Sequence, residues 1–108
     1  MIKKKIYIAG KVTGLPQQEV IDKFNDLQIN LENLGYQVIN PINVVGDCNA
    51  TWQVAMKLCI KALIDCDGVY LMDCHTQSLG AMIEKQLAID LKIPYANNVF
   101  TLIDLWNN

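Results

Sequence analysis

Apolar positions recur along this chain in two rhythms, and the switching between them predicts strands and helices in alternation. Lys5-Ile6-Tyr7-Ile8-Ala9 is a short apolar run read as a first strand, ended by Gly10 and a loop through Thr13-Gly14-Leu15-Pro16. From Gln17 to Leu34, Val20, Ile21, Phe24, Leu27, Leu31 and Leu34 return at helical spacing, and Gly35 stands where a C-cap would. Tyr36-Gln37-Val38-Ile39 predicts a second strand stopped by Asn40-Pro41, and Ile42 to Asp47 reads as a loop. Thr51 caps a helix through Ile64, with Trp52, Ala55, Met56, Cys59, Ala62 and Leu63 on its apolar side. Gly68 to Met72 is nearly all apolar, as a strand covered on both faces should be. Asp73 to Gln77 reads as a loop, and Ser78 caps a third helix running to about Leu91. Ile93-Pro94-Tyr95-Ala96 starts a short fourth strand, and Val99 to Trp106 predicts one more helix.

Crossovers of this length imply parallel strands with helices on both faces. The expected fold is therefore α/β, a flavodoxin-like or Rossmann-like three-layer sandwich with a parallel sheet of about four to five strands. Residues 1–108 with 52% hydrophobic content suit one domain with a real core and are too few for two. Ligands of such folds bind at the carboxyl ends of the strands. Gly10 to Gly14, Asn40-Pro41 and Asp73 to Ser78 should share that rim.

Charge narrows the partners. A formal net charge of −2 argues against polymeric nucleic acid or an anionic membrane as partner, because either needs a basic surface. Lys3-Lys4-Lys5 leads into only a short apolar stretch, which is no signal peptide, and no span approaches membrane length, so a cytoplasmic protein is expected. The four cysteines, Cys48, Cys59, Cys66 and Cys74, include no C-x-x-C pair and have one histidine, His75, to join them. Free, mostly buried thiols are the expectation, with no metal.

The candidate chemistry lies in Ser78-Leu79-Gly80-Ala81-Met82-Ile83-Glu84. Helical side chains lean toward the N-terminus, so Glu84 lies over Gly80 and Ala81, which leave it open to the rim. The nearby helix N-terminus should help to keep it ionised and could hold a ligand phosphate or hydroxyl. An ionised carboxylate beside open space is what attack on an anomeric carbon requires. The same spacing also fits a partly exposed surface glutamate paired with Lys85 or Lys61, and spacing alone does not decide between the two.

Five stretches in order carry a resemblance: Tyr7 to Gly10, Thr13-Gly14-Leu15-Pro16, Asn40-Pro41, Cys66 to Leu71, and Ser78 to Ala81 with Glu84. Together they resemble a family of short bacterial and phage domains related to the nucleoside 2-deoxyribosyltransferases and the 2-deoxynucleoside 5-phosphate N-hydrolases. The resemblance implies that Glu84 attacks C1 of a deoxyribose, with water or a second base resolving the intermediate. It implies that Tyr7 and Gly10, on the first loop, orient nucleophile and sugar, and that Ser78 contacts a 5-hydroxyl or 5-phosphate, beside Gly80. Asn40 on the rim is a further candidate for binding substrate. Asp73, at the carboxyl end of the third strand, is the candidate for protonating the leaving base, while Asp67 at the other end is structural. No cofactor or metal is implied. The partner expected is a small-molecule nucleoside or nucleotide.

The departures from those relatives are specific. Cys59 stands where the related enzymes carry an aspartate, His75 where many of the short relatives carry tryptophan, and Lys11-Val12 where proline-methionine is common. His75 is either a solvated loop residue or a stand-in acid with a pKa near neutrality. The rival to an N-glycosidic enzyme is a catalytically weak nucleotide-binding module. A dinucleotide domain ranks lower, since Gly10 to Gly14 lacks the G-x-G-x-x-G spacing. Apolar helix faces around Trp52, Met56 and Phe100 to Trp106 lead us to expect a homo-oligomer, with Asn97 and Asn98 near a neighbour's site.

Overall fold

A chain whose strands are short and apolar must cover both sides of the sheet they form, and here helices do so. In the computed structural model, which describes residues 3–106, the strands are β1 (Lys5–Ala9), β2 (Gln37–Ile39), β3 (Gly68–Leu71) and β4 (Tyr95–Ala96). They form a four-stranded parallel sheet in the order β2-β1-β3-β4, with Tyr7 opposite Ile39 on one side and Val69 on the other. The helices are α1 (Gln17–Asn33), α2 (Pro41–Val45), α3 (Trp52–Ile64), α4 (Leu79–Asp90) and α5 (Val99–Asp104).

The two-residue period of a strand sorts β1 between the layers. Ile6 and Ile8 pack with Val20, Phe24 and Leu31 of α1 and Leu102 of α5. Tyr7 and Ala9 face the other way, into Cys59 and Leu63 of α3 and Ala81 and Ala88 of α4. The result is the expected three-layer sandwich, with the strand order of the flavodoxin-like doubly wound folds. Among the described residues, no helix is long and apolar enough to cross a membrane.

Element ends follow the capping chemistry. Gly35 takes φ +99°, with its N–H donating to the Glu32 carbonyl and that of Tyr36 to the Leu31 carbonyl, a Schellman closure of α1. Thr51 Oγ1 accepts from the Val54 N–H and Ser78 Oγ from the Ala81 N–H, starting α3 and α4 where the sequence places them. One stretch differs: Ile42 to Val45, expected as loop, belongs to α2. Asn40 Oδ1 accepts from the Ile42 N–H, Pro41 occupies the first turn, and Gly46 at φ +66° closes the end. Five residues are too few to show a helical period, so only those caps could have signalled it.

Smaller differences have similar causes. Asp73–Gln77 is a 3-10 helix rather than a loop, and the last strand begins at Tyr95, while the preceding Pro94 carbonyl accepts from the Val69 N–H. The tail helix stops at Asp104, and Trp106 folds back against Tyr36, ring centroids 6.4 Å apart. Its indole lies so close to Gly68 that a Cβ there would sit 2.9 Å from Cη2. Asp67 accepts from the Lys5 N–H at 2.7 Å, at the amino end of the sheet, a structural position as expected.

Candidate functional site

The crevice lies where the chain leaves β1 and β2 and enters α3 and α4. Its volume is about 780 Å³, and its floor is made by Tyr7, Cys59 and Glu84. The loop after β1 contributes Gly10, Thr13 and Leu15; α2 and the turn after it contribute Ile42, Val45 and Asp47. Trp52 and Met56 of α3 face Ser78 and Gly80 of α4 across it.

Tyr7 is the residue that strand periodicity turns toward α3 and α4. It lies within β1 rather than on the loop where the resemblance put it, and its side chain is fully buried. Its hydroxyl donates to Glu84 Oε2 at 2.6 Å. Glu84 is 5% exposed, so the reading of a surface glutamate paired with Lys85 or Lys61 fails, and with it any partly exposed position. The partner is a phenol, and burial is the reason: a carboxyl inside the fold must be hydrogen-bonded.

Burial also decides the charge. The Glu84 pKa is pushed up to about 7, because desolvation outweighs the hydrogen bond from Tyr7 that favours the ionised form. The expectation that the helix N-terminus keeps this carboxylate ionised is thereby corrected. Glu84 is the sixth residue of α4, and the helix dipole acts mainly over the first turn. Near neutral pH the group is divided between its two forms. The Tyr7 phenol is pushed up, first by burial and then by the Glu84 charge, and stays a donor. Burial likewise pushes up the Cys59 thiol, which the Tyr7 hydroxyl draws down and the Glu84 charge raises further. Cys59 is therefore a neutral thiol beside the pair, not a carboxylate.

The remaining candidates divide. Gly10, Ser78 and Gly80 line the crevice with Tyr7 and Glu84. Ser78 Oγ is occupied as the α4 cap, accepting from the Ala81 N–H at 3.2 Å. Gly80 is not bare space above Glu84: a Cβ there would lie 3.0 Å from Met56 Sδ, so α3 rests directly on it. Asp73 is exposed and stands apart from the crevice walls; its charge is felt instead by Tyr70, which packs on the α1 side. His75 is held by its own turn, with Nδ1 at 2.8 Å from the Met72 carbonyl, and does not line the crevice either. Asn40 is buried but structural, capping α2 through Oδ1 and donating from Nδ2 to Asn25 Oδ1 and Gln28 Oε1 of α1. Asn98 similarly caps α5, accepting from the Thr101 N–H at 2.8 Å, and donates to Asn97 Oδ1.

Sequence reasoning passed over the α2 wall, because it took that segment for a loop. Trp52 and Met56, expected among the apolar helix faces of an oligomer, both line the crevice, Met56 from the side of α3 expected to face the pocket. The cysteines are free, as expected; Cys59 and Cys66 are buried and Cys74 half-buried, and Cys48 is the exposed exception.

Residues 4–96 match the family described as a domain of unknown function, DUF4406, and the chain belongs to that family. Among curated proteins and solved structures, none matches the chain.

Proposed function

We propose that this member of the DUF4406 family binds a nucleoside or nucleotide and cleaves or transfers its N-glycosidic bond, with Glu84 as nucleophile. The proposal draws on the resemblance to the nucleoside 2-deoxyribosyltransferases and the 2-deoxynucleoside 5-phosphate N-hydrolases. The observation that carries it is the buried Tyr7–Glu84 hydrogen bond on the floor of an open crevice. Buried carboxyls are costly, and one held by a single phenol beside a ligand-sized space is the arrangement expected of a functional group.

In this reading Tyr7 fixes Oε2 and leaves Oε1 to attack C1 of the sugar. The C1–N bond breaks with its electron pair going to the base, which takes up a proton from solvent. Water or a second base then displaces Glu84 from C1 and restores the carboxylate. No cofactor or metal is needed for these steps. Only ionised Glu84 can attack, so turnover should rise with pH and level off above about 7.

Incubation of the protein with a panel of deoxynucleosides and their monophosphates, read as free base by chromatography, tests the reading. Wild type should release base and Glu84→Gln should release none. Retention of wild-type turnover by Glu84→Gln would overturn the nucleophile. A second reading, a binding module without efficient turnover, is favoured by Cys59, since a neutral thiol stands where the relatives carry an acid. Binding without base release would select it.

A small-molecule nucleoside or nucleotide is the proposed partner, the cytoplasm the proposed compartment, and a homo-oligomer the proposed assembly. Phe100, 81% exposed, and Leu79, 70% exposed, support assembly, since large apolar side chains left this open are what an interface would cover.

A further inference from the structure

Trp52 begins α3 and lines the crevice, with its indole leaning on Gly80 of α4. It is 43% exposed, although a residue of this size normally buries its ring. With Thr13, Ser78 and Gly80 it lines both the main crevice and a smaller cavity of about 420 Å³ that Lys11 and Gln77 also line, and among those four it alone carries a ring. Its Nε1 lies 3.7 Å from where a Cβ on Gly80 would be, and Met56, one turn further along α3, brings Sδ to 3.0 Å from the same point. The two side chains thus lay an apolar shelf across the first turn of α4.

That shelf has a fixed relation to the floor. Gly80 and Glu84 share a face of α4, and four residues of helix rise about 6 Å. Because the Glu84 side chain leans back toward Gly80, a flat ring resting on the shelf lies within about one helical turn of its carboxyl, which is where a base would lie when the carbon bonded to it faces that carboxyl. Among the described residues, Tyr7 is the sole other aromatic lining the crevice, and its hydroxyl is engaged by Glu84. Val12, Leu15, Ile42 and Val45 are aliphatic and offer no stacking face.

We propose that Trp52, backed by Met56, is the surface on which the purine or pyrimidine ring of the ligand stacks, and so determines which ligands enter. The inference rests on the glycosidic reading for the position of the sugar, but binding of a base requires no bond to break. Stacking tolerates any aromatic ring, because every base has a π face, and the thioether of Met56 adapts to its shape. The crevice should thus accept several bases and reject sugars that lack one.

The test is titration of wild type, Trp52→Phe, Trp52→Ala and Glu84→Gln with adenine, hypoxanthine, thymine and 2-deoxyribose 5-phosphate, by calorimetry and tryptophan fluorescence. Trp106 is the remaining tryptophan and packs against Tyr36 in the opposite layer, so base-induced quenching should vanish in Trp52→Ala. Base affinity should fall roughly ten- to hundred-fold in Trp52→Ala and stay within a few-fold in Trp52→Phe and Glu84→Gln. Affinity for 2-deoxyribose 5-phosphate should not change. Equal base binding by Trp52→Ala, an equal loss for the base-free sugar, or absence of base binding by wild type each overturns the proposal. Trp52-dependent base binding by a protein that releases no base leaves this proposal standing and removes the glycosidic one; base release with an unchanged KM in Trp52→Ala does the reverse.

Discussion

The two faces of the sheet are built from one strand and behave as different materials. On the α1 side, Ile6, Ile8, Phe24, Leu31 and Leu102 are wholly buried and apolar. On the α3 and α4 side, Tyr7 from the same strand meets Glu84 and Cys59 at the floor of a crevice, whose far wall reaches Val20 and Ile21 at the start of α1. A single-residue step along β1 separates a packing surface from a titrating one. The difference teaches that an open, titratable crevice forms where the core is left incomplete and polar, while the opposite face supplies the stability that tolerates it.

The largest effect should come from the packing face. Phe24→Ala removes a fully buried ring and should cost about 3–5 kcal/mol, measured as a shifted urea midpoint. The crevice should keep its pH response, since Phe24 packs in the other layer. A loss below about 1 kcal/mol would mean that the two faces do not divide the work in this way.

The next effect belongs to the titrating face. Glu84 ionises in the unfolded chain near its ordinary value of 4.5 and in the fold at about 7. Between those values the fold holds a proton that the unfolded chain has released, so stability falls as pH rises across the window and levels off above it. The shift corresponds to roughly 3 kcal/mol. Glu84→Gln stays neutral and can still accept from Tyr7, so urea midpoints between pH 4.5 and 8 should lose this slope, leaving the variant more stable than wild type at pH 8. A wild-type midpoint as flat as that of the variant would show that burial does not shift Glu84.

The smallest effect lies at the joint between the faces. Asn40 ties α2, a crevice wall, to Asn25 and Gln28 of α1. Asn40→Ala should cost about 1–2 kcal/mol through the lost cap and its unpaired neighbours, seen as a lowered melting temperature. No change would mean that the wall holds itself.

The contrast between the faces also marks what could be read from sequence. Helical periodicity located α1, α3 and α4 within a residue or two, since each repeats its apolar spacing over at least three turns. Glu84 was visible because Gly80 and Ala81 precede it. Its burial and its phenol partner were not, because the pair joins residues 77 positions apart and no local rhythm encodes such a meeting. Asp73 and His75 looked adjacent to the crevice because chain order places them at the carboxyl end of β3, but the 3-10 helix holds them away from it. The crevice walls from Trp52 and Met56 were legible as apolar and illegible in direction: the same stripe serves a core, an interface or a ligand.

The tail of the chain has a consequence for the order of assembly. Leu102 is among the residues that complete the α1 layer, and Trp106 covers Gly68 from the same side. Tyr7, Cys59 and Glu84 all precede residue 96, as does every wall of the crevice. During synthesis the crevice thus has all its parts before the α1 layer has residues 102 to 106. Until residues 102 to 106 emerge, the α1 layer lacks Leu102 and the Trp106 cover of Gly68, and such incomplete apolar surface is what chaperones meet.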